Sequence, residues 1–177
     1  MALLRLFFAQ AVDAHVLLRQ AAGLVWGLED LPDLDRAPGG KPVFHNFPHR
    51  CFNLSHSGPY ALCALGDSPV GADVEVIRPR RPSLPQKVLS GVELVWFLDR
   101  GSRWEDFYTL WTLKEARVKQ SGAGLPRPPR DIAVPLLEPG QHAQLDGLVF
   151  TAYAGEGWRA ALCAADPGPL IEGIRTS

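Results

Sequence analysis

Val70-Gly71-Ala72-Asp73-Val74-Glu75-Val76-Ile77 alternates apolar and acidic residues with a period of two, the pattern of a β-strand with one buried face. Val70, Ala72, Val74 and Val76 share the core face, and Asp73 and Glu75 share the other. Two acids placed so stand about 7 Å apart at the backbone, close enough to grip one cation. A half-buried strand with a simply solvated outer face would carry the same pattern. Toward the N-terminus, the turn Gly66-Asp-Ser-Pro69 separates this strand from another over Tyr60–Leu65. Ser57-Gly-Pro59 separates that strand from a third over Arg50–Leu54. Further upstream, Leu3–Ala9 reads as a first strand and about Asp13–Trp26 as a helix with Asp13 as N-cap. Residues 30–42, rich in Pro, Gly and Asp, read as a loop.

Downstream, Arg78–Pro85 is a Pro/Arg-rich connector. Ser90 and Glu93 have the spacing of a capping box, so a helix starts there. A stronger helix runs from about Trp104 to Ser121 and is stopped by Gly122, Gly124, Pro126, Pro128 and Pro129. Strand signals return at Ile132–Leu137, Leu148–Tyr153 and Trp158–Ala164. The pattern is α+β, with helices packed on antiparallel strands.

In the strong helix, Trp104, Phe107, Tyr108, Trp111 and Val118 form one apolar stripe at about 100° per residue. Glu115 falls inside that stripe, one turn beyond Trp111, with Lys114 and Lys119 on its edges; Leu113 lies opposite. A surface pair Glu115–Lys119 at i,i+4 is one account. It leaves unexplained why an acid occupies the apolar centre, where an unpaired carboxylate is costly. The other account is a divalent ion held by Asp73, Glu75 and Glu115, converging within a few ångströms. Oxygen donors without His or Cys favour Mg²⁺ over Zn²⁺, and Mg²⁺ beside lysines suits the neutralising of phosphate oxygens.

Phe52-Asn-Leu-Ser-His-Ser-Gly58 reads as a strand end opening a turn. Ser55, His56 and Ser57 there offer hydroxyl, imidazole and backbone donors as a phosphate cradle; locally satisfied turn hydroxyls are the plainer account. Lys41, in Gly-Lys-Pro, is a further candidate phosphate contact.

The formal net charge of -1, with 21% charged residues, argues against a surface built to coat nucleic acid or an anionic membrane. Cys51, Cys63 and Cys163 lie in apolar runs without metal-type spacing and read as reduced thiols of a cytoplasmic protein. The opening Met1–Ala9 is too short, and too broken by Arg5, for a signal peptide. No stretch approaches the roughly 20 apolar residues of a spanning helix.

In order, Gly40-Lys-Pro42, Phe52-Asn-Leu-Ser-His-Ser57, Gly71-Ala-Asp-Val-Glu75 and Trp111-Thr-Leu-Lys-Glu-Ala-Arg-Val-Lys119 resemble the 4′-phosphopantetheinyl transferases of the surfactin-synthetase-activating type. Lys119–Leu125 and Trp158–Ala164 continue the likeness, which covers about residues 13–168. It implies two pseudo-symmetric α/β halves, about 1–69 and 70–177, each a helix on a small antiparallel sheet, with one active site between them. It implies Mg²⁺ on Asp73, Glu75 and Glu115, with Glu115 also receiving the proton of an acceptor serine. Ser55, His56 and Lys119, with Lys114 nearby, would contact the phosphates of coenzyme A, while Gly40, Lys41 and Pro42 would lie against its adenine end. His56, Glu115 and Lys119 would be the catalytic side chains, the partner an apo acyl or peptidyl carrier protein, and the fused halves a monomer. The chain before Gly-Lys-Pro is about thirty residues shorter than in typical members. Arg5, Arg19 and Arg50 are the candidates to replace the basic contacts that region supplies. Arg78-Pro-Arg-Arg81 is a candidate docking patch for an acidic carrier. Two rival readings are a Mg²⁺-dependent phosphohydrolase and a trimmed, non-catalytic or weakly active binder of coenzyme A or carrier.

Overall fold

A computed structural model of the chain describes residues 2–124 and 127–174; Leu125 and Pro126, in the expected helix stop, lie outside them. The expected α+β architecture is borne out. Strand β1 (Leu4–Gln10) leads to helix α1 (Ala14–Trp26). Asp13 caps α1 as its sequence predicts, accepting from the His15 and Val16 amides at 2.8 and 3.3 Å. The expected loop 30–42 carries a small ribbon of β2 (Leu34–Arg36) and β3 (Pro42–Phe44). Strands β4 (Cys51–Ser57) and β5 (Tyr60–Gly66) form a hairpin across Gly58-Pro59. The Asn-Leu-Ser-His-Ser segment is therefore strand throughout, not the mouth of a turn: all seven residues of β4 are paired in register with β5.

Strand β6 (Gly71–Val76) follows, then α2 (Leu84–Val88), α3 (Gly91–Asp99) and α4 (Trp104–Ser121). The Ser90–Glu93 capping box is present in both directions. Strands β7 (His142–Leu145), β8 (Leu148–Gly155) and β9 (Trp158–Ala164) complete a second sheet, and β10 (Glu172–Gly173) returns to pair in parallel with β1. The first sheet has the order β10-β1-β5-β4 and the second β6-β9-β8-β7.

Ile132–Leu137, expected as a strand, is not one. The outer edge of β8 is taken by β7, and Pro135 has no amide to give a ladder. The segment instead buries Ile132, Val134 and Leu137.

Helix α1 lays Leu17, Leu18 and Ala21 on Phe7, Phe52 and Cys63 of the first sheet. Helix α4 lays Phe107, Leu110, Leu113 and Ala116 on Phe150, Ala152 and Ala161 of the second. The two sheets share a further core of Leu6, Leu62 and Ala64 against Val70, Ala72, Val74 and Leu162. Each such leucine removed from water contributes about 1.5–3 kcal/mol.

The apolar stripe read along α4 is only partly its core face: Phe107 and Tyr108 are buried in the core. Trp104, Trp111, Glu115 and Val118 are half-buried, whereas Leu113, the apparent exception, is fully buried. Leu110, Leu113 and Phe107 carry the packing. Glu115 is half-buried among the partly exposed residues of that stripe.

Candidate active site

The site lies at the seam between the edge strands of the two sheets, β4 and β6. On β4, alternation sends Asn53, Ser55 and Ser57 to one side. Their side-chain oxygens accept the β6 amides of Ala72, Val74 and Val76 at 2.8, 3.2 and 3.2 Å. A polar side-chain ladder thus takes the place of a backbone ladder and satisfies the free edge of β6. The period of two in Asn53-Leu-Ser-His-Ser57 held this signal. A turn assignment concealed it.

The same hydroxyls hold the acids. Ser55 Oγ donates to Asp73 Oδ1 at 2.9 Å, and Ser57 Oγ donates to Glu75 Oε2 at 2.7 Å. From α4, Lys119 Nζ donates to Asp73 Oδ1 at 2.6 Å and to Ser55 Oγ at 3.1 Å. Gly71 makes this approach possible. A Cβ there would stand 2.0 Å from the Ala116 carbonyl oxygen and 2.3 Å from the Gln120 nitrogen, so only glycine lets α4 lie this close to β6. Gly39 plays a like part for the loop before β3, where a Cβ would meet the Gly122 carbonyl oxygen at 1.6 Å.

Asp73 is only 3% exposed, and its Oδ2 is buried without a hydrogen-bond partner. Burial pushes its carboxyl up to about 6, although Lys119 and Ser55 pull it down. Burial also raises the Glu115 carboxyl; the Lys119 charge opposes this and the Glu75 charge adds to it. Asp73, Glu75, Glu115 and Lys119 therefore share one electrostatic neighbourhood. The three acids are not drawn into a ready-made cluster: among the described residues no three His, Cys, Asp or Glu side chains are grouped to hold an ion. Lys119 and Ser55 engage Asp73, and Ser57 engages Glu75.

The remaining candidates divide. Lys41 and Pro42 line a cavity of about 300 Å³ together with Asn53 and Lys119. Lys41 Nζ is committed to the Val70 carbonyl at 2.7 Å and, more weakly, to that of Gln120 at 3.4 Å. Ser55 is engaged at the seam, its hydroxyl donating to Asp73 and accepting from the Val74 amide. His56 is exposed on the opposite side of β4 from Ser55 and Ser57. Lys114 is 1% exposed and bonded to Glu93 and the Ile132 carbonyl rather than to any group of the seam.

Beside the seam opens a cavity of about 810 Å³, walled by Phe44, Phe47, Phe52, Lys41, Arg50 and Gln120. The Phe44 and Phe52 rings meet at a tilt, centroids 4.6 Å apart, and the Arg50 guanidinium lies 4.7 Å from the Phe47 ring. Arg5 is paired with Glu172 and Arg19 with Asp30. Arg50 is thus the one of the three candidate arginines that lines this space. Arg78, Arg80 and Arg81 are all exposed.

No helix among the described residues is long and apolar enough to cross a membrane. The family model of the 4′-phosphopantetheinyl transferase superfamily matches residues 69–163. A 4′-phosphopantetheinyl transferase of Bacillus subtilis is 32% identical over 179 residues, covering 90% of this chain and 78% of the relative. The 4′-phosphopantetheinyl transferase Sfp of Bacillus subtilis strain 168 is 32% identical over 72% of this chain and 61% of its own length. The 4′-phosphopantetheinyl transferase AcpT of Salmonella typhi is 42% identical over 54% of this chain and 52% of its own. The chain belongs to the 4′-phosphopantetheinyl transferase superfamily, a family of transferases.

Proposed function

We propose that this chain transfers the 4′-phosphopantetheine arm of coenzyme A to a serine of an apo acyl or peptidyl carrier protein, releasing adenosine 3′,5′-bisphosphate. The observation that carries the reading is the meeting of Asp73, Ser55 and Lys119 at the seam beside the aromatic-walled cavity. An aromatic wall suits a nucleobase, and Arg50 and the lysines suit its phosphates. The serine oxygen forms the new bond to phosphorus, the pyrophosphate P–O bond breaks, and the bisphosphate leaves with that bond's electron pair. Glu115, whose carboxyl burial raises, takes the serine proton directly or through water. Lys119 stands next to the acids and would shift from Asp73 toward the growing charge on the phosphate.

Asp73, Glu75 and Glu115 are the residues that would hold Mg²⁺; their oxygen donors and the partnerless Asp73 Oδ2 fit such an ion. When bound it would neutralise phosphate oxygens. For coenzyme A we keep Lys41, Pro42 and Lys119 as contacts and add Arg50. His56 stays a candidate from the exposed side of β4, reachable by the phosphates rather than by the acids. We divide the chain into halves at about 1–69 and 70–177 with the site between them, and place it in the cytoplasm as a monomer.

Incubation with coenzyme A, Mg²⁺ and a set of apo carriers should add one phosphopantetheine arm to a carrier, seen by intact mass. No mass gain on any of them would overturn the reading. Glu75→Ala should abolish transfer with the fold intact, and undiminished transfer by that variant would refute the metal assignment.

A further inference from the structure

Lys114 precedes Glu115 on α4 yet makes no bond to the seam. Its ammonium donates to the Glu93 carboxylate at 2.8 Å and to the Ile132 carbonyl at 2.7 Å. Glu93 is itself 3% exposed and also accepts the Ser90 amide at 2.7 Å, closing the capping box of α3. One chain of bonds therefore ties the start of α3, the middle of α4 and the segment at Ile132. A buried charge pair endures only with such full satisfaction, and well-packed apolar side chains would hold these elements together at least as stably. What an ion pair adds is direction, because its donors and acceptors fix an angle that apolar contact leaves soft.

That angle matters for the neighbour. On a helix Glu115 lies about 100° from Lys114 and about 40° from Lys119, between the two. Lys119 tethers one flank of α4 to Asp73 and Ser55 on the seam, and Lys114 tethers the other flank to α3. A helix held on one flank can still roll; a helix held on both cannot. We propose that Lys114 and Glu93 are a positioning pair that sets the roll of α4, so that Glu115 is presented to Glu75 on β6. Lys114 touches neither coenzyme A nor the acceptor. The importance of Glu115's placement rests on the transfer reading above; the mechanical role of the pair does not.

The test uses Glu93→Gln, which keeps a hydrogen-bonding group and loses the charge, and Lys114→Met. The double variant Lys114→Met/Glu93→Leu supplies an apolar filling in case the single variants do not fold. In every folded variant kcat should fall at least tenfold while KM for coenzyme A stays within twofold. Amide hydrogen exchange over residues 111–121 should rise, with that of β8 and β9 unchanged. The double variant should regain the parent's melting temperature without regaining kcat. A tenfold rise in KM for coenzyme A with kcat preserved would make Lys114 a ligand contact and overturn the proposal. Unchanged kcat and exchange in the folded double variant would reduce the pair to packing and overturn it as well. If the parent chain transfers nothing, the transfer reading falls, and exchange alone decides: a rise confined to residues 111–121 supports the pair, and no rise overturns it.

Discussion

Replacing Gly71 by alanine puts a methyl group where β6 and α4 meet backbone to backbone. Its Cβ would stand 2.0 Å from the Ala116 carbonyl oxygen, 2.3 Å from the Gln120 nitrogen and 2.8 Å from the Gln120 Cα. None of these atoms belongs to a side chain that can rotate away. Ordinary contact begins near 3.4 Å, so α4 must retreat by about 1.4 Å or β6 must bend. Overpacking costs about 1–3 kcal/mol, and an unyielding backbone on both sides places this case at about 3. For a chain of this length that lowers the melting temperature by roughly 6–12 °C. The functional loss is larger. Glu115 adjoins the displaced Ala116–Gln120 turn and Lys119 lies within it, and a misplacement on the order of 1 Å costs about 10²-fold in rate. The assay is the time course of carrier mass gain at saturating coenzyme A, run at least about 10 °C below the variant's own melting temperature so that unfolding does not enter. Gly91→Ala is the control, since a Cβ there meets nothing within 4 Å, and it should lower neither quantity. An alanine variant at Gly71 with the parent's melting temperature and kcat would refute the claim that this close approach builds the site.

Asp73→Asn should stabilise the metal-free protein above about pH 6. The folded carboxyl lies near 6 while the unfolded one titrates near 4, so folding favours the protonated form and the ionised form carries a cost. The gain should approach on the order of 3 kcal/mol at high pH and vanish below about pH 4; a difference independent of pH in denaturant titrations would contradict this. Arg50→Ala should raise KM for coenzyme A about tenfold with kcat within about twofold, because the arginine is placed on the cavity wall and not at the acids. Equal KM values would remove Arg50 from the site. Charge reversal at Arg80 and Arg81 should raise KM for an acidic carrier by about tenfold, most at low ionic strength. An unchanged KM would return that connector to plain solvated linker.

Features settled within a few residues along the chain were legible in advance. Helix α4 spans Trp104–Ser121 and β9 spans Trp158–Ala164, the bounds that their composition and flanking glycine turns give. The caps at Asp13 and at Ser90 with Glu93 are local hydrogen bonds between near neighbours. Asp73 and Glu75 had to share a face because a strand alternates, and the family likeness follows from the order of such short motifs. Other features depend on what lies opposite. Lys114 and Lys119 look alike along the helix, yet one meets a buried glutamate and the other an aspartate at the seam. Ile132–Leu137 has strand composition, but a strand needs a free edge, and β7 holds it. Ser55 and Ser57 look like free hydroxyls of a turn until the amides of β6 stand against them. Backbone geometry ties neighbours together through steric rules that the residue order carries. The partner of a buried charge or hydroxyl is selected by packing across tens of residues, and it exists only once the sheets and helices have come together.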